Sequence, residues 1–354
     1  MGYIYGLGIG FDSKQIASPF IAAGQPKTAL AGPAGILDRC LDLNGDRVHG
    51  RAAMTLAERF HGRDALADHV RNITGGGIVI HLPAGHQAAQ PLRLDVELAG
   101  QSLERLLLVA EPGSRATVVV RRQGGGLSAC LTEAVIGDGA EINLVRVQDL
   151  APGDDFSRLQ ASLGRQARLA LSECLFGGGY SASWAEVELD GSAARFDCRT
   201  VLAASGEEKF DLHRVARHRA GQSQSSLETV AVMLDRSKTV ERALIAVEPG
   251  AKGCRGRQKT ATLLLGRGAD FSSLPQLEVG EEDVNCSHAS SIGQIDREQL
   301  FYLMARGFDR QSAERRLVEG FAEPLLAAMR ESGLAEMVGC LLAQRFANNQ
   351  RSAN

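Results

Sequence analysis

The sequence reads AEVELDGSAARFDCR over residues 185–199, and charged and apolar side chains alternate on both sides of a central Asp-Gly turn. Before the turn, Glu186 and Glu188 share one face and apolar residues take the other. After the turn, Phe196 and Cys198 alternate with charged residues in the same way. Alternation with a period of two is typical of half-buried β-strands. The stretch therefore predicts two short strands joined by a tight turn.

Glycines typical of tight turns recur at intervals of 25 to 30 residues, with a shorter last interval of 18 residues. These glycines are Gly85, Gly113, Gly139, Gly164, Gly191, Gly221, Gly250 and Gly268. Four consecutive turns are followed, five residues later, by the apolar residues Val118, Leu144, Leu169 and Phe196. Hairpin-linked sandwiches usually have turns every ~8–12 residues, whereas the longer coils of a β-helix stack equivalent positions ~4.8 Å apart. The period therefore predicts a mainly-β fold, a parallel β-helix with these four side chains stacked.

The segments that flank the repeat have different patterns, so we expect three regions. Residues 1–75 are expected to form a short mixed and helical region, with a helix near residues 56–70. Residues 76–294 are expected to form the β-helix core. Residues 295–354 lose the strand pattern and are expected to form a C-terminal helical domain.

Helix signals in the last region are local and specific. Asp296, followed three residues later by a glutamine, is typical of a helix N-cap, and Gly307 is typical of a helix end. A second helix is expected from Asp309, interrupted near Pro324. A final amphipathic segment is expected over residues 334–342.

Composition and charge exclude several classes of protein. Lys and Arg total 39 and Asp and Glu total 42, a net charge of −3 that gives no whole-protein field for nucleic acid or anionic membrane. No apolar run approaches the ~18 residues of a membrane span, and the first residues lack the basic start of a secretion signal. The 7 cysteines are scattered singly, which argues against a disulfide framework. We expect a cytoplasmic protein with no nucleic-acid or membrane partner.

Familiar catalytic motifs do not occur in the sequence. It contains no phosphate loop, no nucleophile elbow of the Gly-x-Ser-x-Gly type and no His-Glu-x-x-His zinc motif. We therefore expect the chain to be no enzyme and to hydrolyse no ATP by itself. A β-helix enzyme that acts on polysaccharide is a remote alternative, because such an enzyme needs grouped carboxylates for acid–base chemistry and the repeat offers no such group.

Residues 283–288 read DVNCSH and form the sharpest local chemical feature. Cys286 and His288 are two positions apart, so on a strand both side chains leave the same face. Thiolate and imidazole are natural ligands for iron or zinc, and the acidic run over residues 281–283 favours a nearby cation. Two ligands do not complete a metal site, so further donors must come from elsewhere in the chain or from a second chain. The alternative is that His288 only hydrogen-bonds a neighbouring turn.

Several stretches of the sequence are specific when they are taken together, namely residues 78–85, 211–218, 225–226, 258–265, 274–279, 283–288, 293–296 and 300–307. Together they resemble the SufB/SufD family of iron–sulfur cluster assembly proteins. The resemblance covers roughly residues 75–325, and the ordered series near the C-terminus is the most specific part. Within the family the chain is most similar to SufD, because Ser287 and Ala289 flank His288 where the SufB pattern has Glu-His-Glu.

The resemblance implies a right-handed parallel β-helix with helical ends and a non-catalytic scaffold role in a SUF-type assembly complex. It implies a SufB-like paralogue as the paired chain and a SufC-like ATPase that docks on the C-terminal helical domain. It also implies that Cys286 and His288 are ligands at the interface of the two β-helices. We expect no cofactor held tightly by this chain alone, only a transient iron or Fe–S cluster at that interface. The main alternative is a SufB-like scaffold that itself holds the nascent cluster.

Overall fold

A computed structural model of the chain describes residues 3–5, 9–11, 27–32, 36–40, 50–74, 77–328, 339–341 and 345. The helices are α1 (Gly50–Phe60), α2 (Ala65–Thr74), α3 (Arg297–Ala305) and α4 (Arg310–Ala328). The strands are β1 (Tyr3–Tyr5), β2 (Ile9–Phe11), β3 (Lys27–Ala31), β4 (Leu37–Cys40), β5 (Gly77–Leu82), β6 (Leu92–Leu98), β7 (Gln101–Ala110), β8 (Arg115–Ile136), β9 (Glu141–Leu163), β10 (Arg168–Gly177), β11 (Tyr180–Leu189), β12 (Arg195–Ala204), β13 (Lys209–His218), β14 (Gln224–Met233), β15 (Lys238–Val247), β16 (Cys254–Leu264), β17 (Asp270–Val279) and β18 (Val284–Gly293).

From β5 onward the strands wind into a parallel β-helix. The long strand β9 belongs to two rows, one running β9-β10-β12-β14-β16-β18 and the other β9-β11-β13-β15-β17. Neighbouring strands within each row are parallel. Consecutive strands such as β12 and β13 lie in different rows, so each coil adds one strand to each row. This arrangement confirms the predicted parallel β-helix.

Strand register confirms the predicted length of a coil. Arg168 pairs with Arg195, Arg195 with Gln224, and Gln224 with Arg255, which are offsets of 27, 29 and 31 residues. A coil of this length is long enough for two short strands and the turns between them. The spacing of the turn glycines therefore agrees with the number of residues in a coil.

The predicted stack of four apolar residues is only partly right. Val118 lies beside Leu144, and Leu169 lies beside Phe196. Leu144, however, lies beside Leu171 and not beside Leu169. The shift is two residues, so every one of these side chains still faces the interior.

The shift arises because the turns are not aligned by their glycines. One coil after Gly139, whose φ is +66°, the equivalent turn residue is Gln166, whose φ is +56°. Ala193 and Gln222 take the same left-handed conformation in the next coils, and each of these four residues donates its N–H to a carbonyl in the following turn. A non-glycine residue there costs ~1–2 kcal/mol, which the stacking of the flanking strands outweighs. Gly164 lies two residues earlier in its turn.

The interior of the β-helix combines an apolar cluster with buried ion pairs. The largest apolar cluster includes Leu171 and Phe196, both fully buried. Glu173 of β10 is also fully buried, and its carboxylate pairs with Arg146 at 3.2 Å and with Arg214 of β13. Buried charges are tolerated only when they are paired and hydrogen-bonded, and Glu173 meets that condition.

The N-terminal region contacts the β-helix through strands and helices. Strands β3 and β4 pair antiparallel with β6 and β5. Helix α1 packs Leu56 and Phe60 against residues of β5 and β7. The single helix expected near residues 56–70 is wrong in detail, because α1 ends at Phe60 and Asp64 starts α2. Its carboxylate accepts a hydrogen bond from the N–H of Leu66 at 2.9 Å, as an N-cap does.

The helix signals after the last strand are largely confirmed. The Asp296 carboxylate accepts hydrogen bonds from the N–H groups of Glu298 and Gln299 at the start of α3. Gly307, with a φ of +96°, follows the end of that helix. No helix within the described ranges is both long and apolar enough to cross a membrane.

The predicted interruption at Pro324 is wrong, because α4 continues from Arg310 to Ala328. Proline removes one hydrogen bond from a helix, but Val318 and Ala322 hold α4 by packing against apolar residues of the sheet. Tertiary packing of this kind usually decides whether a helix persists. The amphipathic segment expected over residues 334–342 lies outside the described residues except for residues 339–341.

Candidate functional site

Strands β17 and β18 form the end of the two rows, which we call the open end. Strand β18 pairs with β16 and β17 pairs with β15. Their outer edges meet no further strand within the part of the chain that the structure describes. Large apolar side chains lie exposed here, since Leu274, Val279 and Ile292 are 50%, 48% and 47% accessible. An unpaired, partly apolar strand edge is a template for another strand.

Cys286 is the inner member of the predicted pair. It lies in register with Gly256 of β16, is half-buried and packs against the interior apolar cluster. A Cβ atom added to Gly256 would lie 2.8 Å from Ile245 Cγ2 and 3.3 Å from Cys286 Sγ. Glycine at this position therefore makes the space that the thiol fills. Burial raises the pKa of the Cys286 thiol, and a hydrogen bond from the Gly256 backbone partly opposes that rise.

His288 is the outer member of the pair. It lies two positions beyond Cys286 in β18, in register with Gln258, and its side chain is exposed. Alternation along the strand puts the imidazole on the same face as the thiol. The structure thus places both residues at the open end, where Cys286 is half-buried and His288 is exposed.

Gln258 lies directly beneath His288 and was not among the site residues predicted from the sequence. It is 3% exposed, and its Nε2 donates hydrogen bonds to the carbonyls of Ala243 at 3.0 Å and Gln276 at 3.1 Å. A signal was present, because Arg255 and Arg257 alternate along β16 on the outer face. That alternation turns Gln258 inward.

Glu241 is a second buried polar group close to the open end. It is 2% exposed, and its carboxylate accepts hydrogen bonds from the hydroxyls of Thr229 and Thr260. Burial raises the pKa of this carboxyl, while the hydroxyl donors act in the opposite direction. Thr260 lies in register with Ser290 of β18, so Glu241 lies close beneath the last strand. Adjacent charges at Glu241 and Arg242 were the sequence signal, because one of two consecutive residues must face inward.

These residues do not form a complete metal site within one chain. Among the described residues, no group of three or more His, Cys, Asp and Glu side chains is arranged to hold a metal ion. Cys286 and His288 supply one sulfur and one nitrogen donor at the open end. Thiolate and imidazole are donor types that suit iron.

A second exposed apolar surface lies on α3 and the turn after it. We call it the helical patch and define it by Phe301, Tyr302, Met304 and Phe308, which are 73%, 57%, 41% and 39% exposed. Four large apolar side chains within eight residues exceed what scattered surface residues usually show. Contiguous patches of this kind mark interaction surfaces.

Comparisons with known proteins agree with this architecture. A family model described as "SUF system FeS cluster assembly, SufBD core domain" matches residues 94–321. The chain is 25% identical over 307 residues to the iron–sulfur cluster assembly protein SufD of Bacillus subtilis, covering 82% of this chain and 70% of the relative. It is 30% identical over 177 residues to SufD of Escherichia coli, covering 50% of this chain and 42% of the relative.

A third relative is an iron–sulfur cluster assembly SufBD family protein of Mycobacterium leprae. The chain is 25% identical to it over 273 residues, which cover 72% of this chain and 31% of that relative. The chain thus spans less than half the length of the relatives from Escherichia coli and Mycobacterium leprae. The match to the core-domain model, by contrast, extends from β6 into α4. Since it covers well over half of the chain, this protein belongs to the SufBD family of iron–sulfur cluster assembly proteins.

Proposed function

We propose that the chain is a non-catalytic SufD-type subunit of an iron–sulfur cluster assembly complex. Its paired chain is a SufB-like paralogue, and a SufC-like ATPase supplies the energy that this chain cannot supply itself. The observation that carries the proposal is the open end, where Cys286 and His288 lie on a strand whose outer edge pairs with no other described strand. The iron or Fe–S cluster is cargo in this scheme, not a resident cofactor.

The open end is the surface on which the SufB-like chain pairs. The edges of β17 and β18 offer backbone N–H and C=O groups, and a strand of a second β-helix can satisfy them. Such pairing also covers Leu274 and Ile292, each about half exposed at present. Stacked solenoids need a cap at each end for solubility, and a partner β-helix provides one here.

Cys286 and His288 contribute two of the donors for the cargo, and the paired chain contributes the rest. The raised pKa of the Cys286 thiol favours its protonated form at neutral pH, and a thiol must lose its proton to bind iron. Free thiols need a reducing compartment, so the chemistry fits the cytoplasm.

The helical patch is the surface on which the ATPase docks. Phe301 and Tyr302 are its most exposed members. Aromatic anchors of this size dominate the binding energy of many interfaces. The helical patch lies on α3, which follows β18 directly in the chain. An ATPase that docks there is therefore close in sequence to the last strand of the open end.

The test is co-expression of the full chain with a SufB-like and a SufC-like protein of one organism, followed by affinity purification. The variant is His288→Ala, and the matched control is Ser287→Ala, which is exposed on the opposite face of the same strand. We expect His288→Ala to lower cellular iron–sulfur enzyme activity at least tenfold, with unchanged recovery of both partners. Ser287→Ala is expected to behave as the parent chain. Normal activity in His288→Ala would refute the assigned role, and loss of the complex would make the residue structural.

A further inference from the structure

Gln258 has one side-chain atom fixed and one side-chain atom unsatisfied. Its Nε2 donates to the carbonyls of Ala243 and Gln276, which uses both amide protons. Two carbonyl acceptors on that side require the NH2 group there, so the amide cannot be flipped. The Oε1 atom is buried, and it accepts no hydrogen bond from any described residue. A buried acceptor without a donor is unfavourable and calls for an explanation.

The register of β16 restricts what can supply the missing donor. On one side, Gln258 pairs with Leu227 of β14, an apolar residue that has no donor. On the other side it pairs with His288 of β18. Neighbouring strands lie ~4.8 Å apart, and paired side chains on one face of a sheet interact directly. His288 is therefore the side chain in this column that can donate to Oε1.

We propose that Gln258 is a positioning residue for His288. Its Oε1 accepts a hydrogen bond from one ring N–H of the imidazole, which leaves the lone pair of the other ring nitrogen directed at the open end. The exposed ring can turn about its two side-chain torsions, and the rotamer that meets Oε1 satisfies the buried acceptor. The contact itself does not depend on the proposed function. Its role, the presentation of a nitrogen donor to iron, rests on that function.

The arrangement follows a general rule for histidines that bind metals. Such histidines commonly donate their second ring N–H to a carbonyl or carboxylate, which fixes the tautomer and the ring orientation. Here the carbonyl belongs to an amide that is itself held by two strands, β15 and β17. The position of the His288 ring is thereby tied to both rows of the β-helix.

Two substitutions of Gln258 separate its two hydrogen-bonding groups. Gln258→Lys keeps donors for the carbonyls of Ala243 and Gln276 but offers no acceptor. Gln258→Glu keeps an acceptor toward His288 but, when ionised, offers no donor to those carbonyls. Each variant therefore keeps one hydrogen-bonding function of Gln258 and loses the other. If Oε1 contacts His288, the behaviour of His288 depends on the acceptor and not on the donors.

The readout is the exchange of the His288 ring N–H with solvent, measured by NMR on the full chain with 15N-labelled histidine. His288→Ala assigns the signal. We expect a protected ring N–H in the parent chain and in Gln258→Glu, with exchange about tenfold faster in Gln258→Lys. An unprotected ring N–H in the parent chain would overturn the proposal without any variant. Equal protection in Gln258→Lys would overturn it as well.

This measurement uses the chain alone, so it fails independently of the assembly role. A protected ring N–H together with normal iron–sulfur enzyme activity in His288→Ala would sink the proposed function and leave the contact standing. An unprotected ring N–H together with lost activity in His288→Ala would do the reverse. If the contact and the proposed function are both right, Gln258→Lys lowers iron–sulfur enzyme activity as His288→Ala does. Gln258→Glu then retains more of that activity than Gln258→Lys.

Discussion

The middle coils, β10 to β13, and the open end use the same coil geometry for different purposes. In the middle, every strand has a neighbour on each side, Phe196 is fully buried, and Glu173 is paired with arginines. At the open end, β18 pairs with one strand among the residues that the structure describes, Cys286 is half-buried and His288 is exposed. The comparison shows that the middle coils bury their side chains between neighbouring strands, while Cys286 and His288 lie where stacking stops.

The largest effect is expected when a buried carboxylate is removed from the middle coils. Glu173→Ala leaves Arg146 and Arg214 buried without their carboxylate, so we expect the free energy of unfolding to fall by about 3–5 kcal/mol. Urea denaturation followed by circular dichroism measures the change. The matched control is Glu207→Ala, which removes an ion pair whose two side chains are 73% and 75% exposed. Its expected cost is below ~1 kcal/mol, and equal costs for the two variants would contradict the comparison.

A smaller effect is expected where the open end meets the interior. Gly256→Ala places a Cβ against Ile245 and Cys286, so we expect a loss of about 1–3 kcal/mol from overpacking. We also expect faster alkylation of Cys286, because the thiol is pushed from its space toward solvent. Gly293→Ala in β18 is the control, since a Cβ there meets nothing within 4 Å. Unchanged alkylation in Gly256→Ala would mean that the glycine does not seat the thiol.

The last expected effect is a pH dependence that belongs to the middle coils. His218 of β13 is buried between the hydroxyls of Ser223 and Ser225, and burial lowers its pKa to about 4. The unfolded chain has a histidine pKa of ~6.5, so it binds more protons than the folded chain between these values. The resulting stability is fully present above pH ~6.5 and is lost as the pH falls toward ~4.

The measurement compares urea midpoints at pH 7 and pH 5. We expect a lower midpoint at pH 5 in the parent chain and a smaller difference in His218→Asn, which does not titrate. His213, whose pKa burial also lowers to about 4, keeps part of the dependence in that variant. An identical difference in both chains would mean that His218 does not contribute.

The sequence was sufficient for the architecture because the period of a coil is a local property. Alternation predicted strands, turn spacing predicted the solenoid, and Asp296 predicted the start of α3. The turns were aligned wrongly because Gln166, Ala193 and Gln222 adopt a conformation that normally indicates glycine. Their backbone is imposed by stacking on the neighbouring coils, which no local pattern reveals.

The candidate site was only half visible from the sequence. Cys286 and His288 stood out because their two-residue spacing puts both on one face of a strand. Gln258 did not, because its partners Ala243 and Gln276 come from two other strands, and the bonds exist only across the closed coil. A polar residue at an inward position is recognisable in the sequence, but what it faces there is set by tertiary structure.

The buried pairing of Glu173 has a consequence for how the chain finds its fold. Successive coils have similar lengths, so a coil could in principle stack on the wrong neighbour during folding. In the native order Glu173 lies between Arg146 and Thr200 in adjacent strands. If the coil of Glu173 were skipped, Arg146 would lie against Thr200. The buried arginine would then lack its counter-charge, which costs several kcal/mol. The ion pair thus disfavours the stacking of a coil on the wrong neighbour.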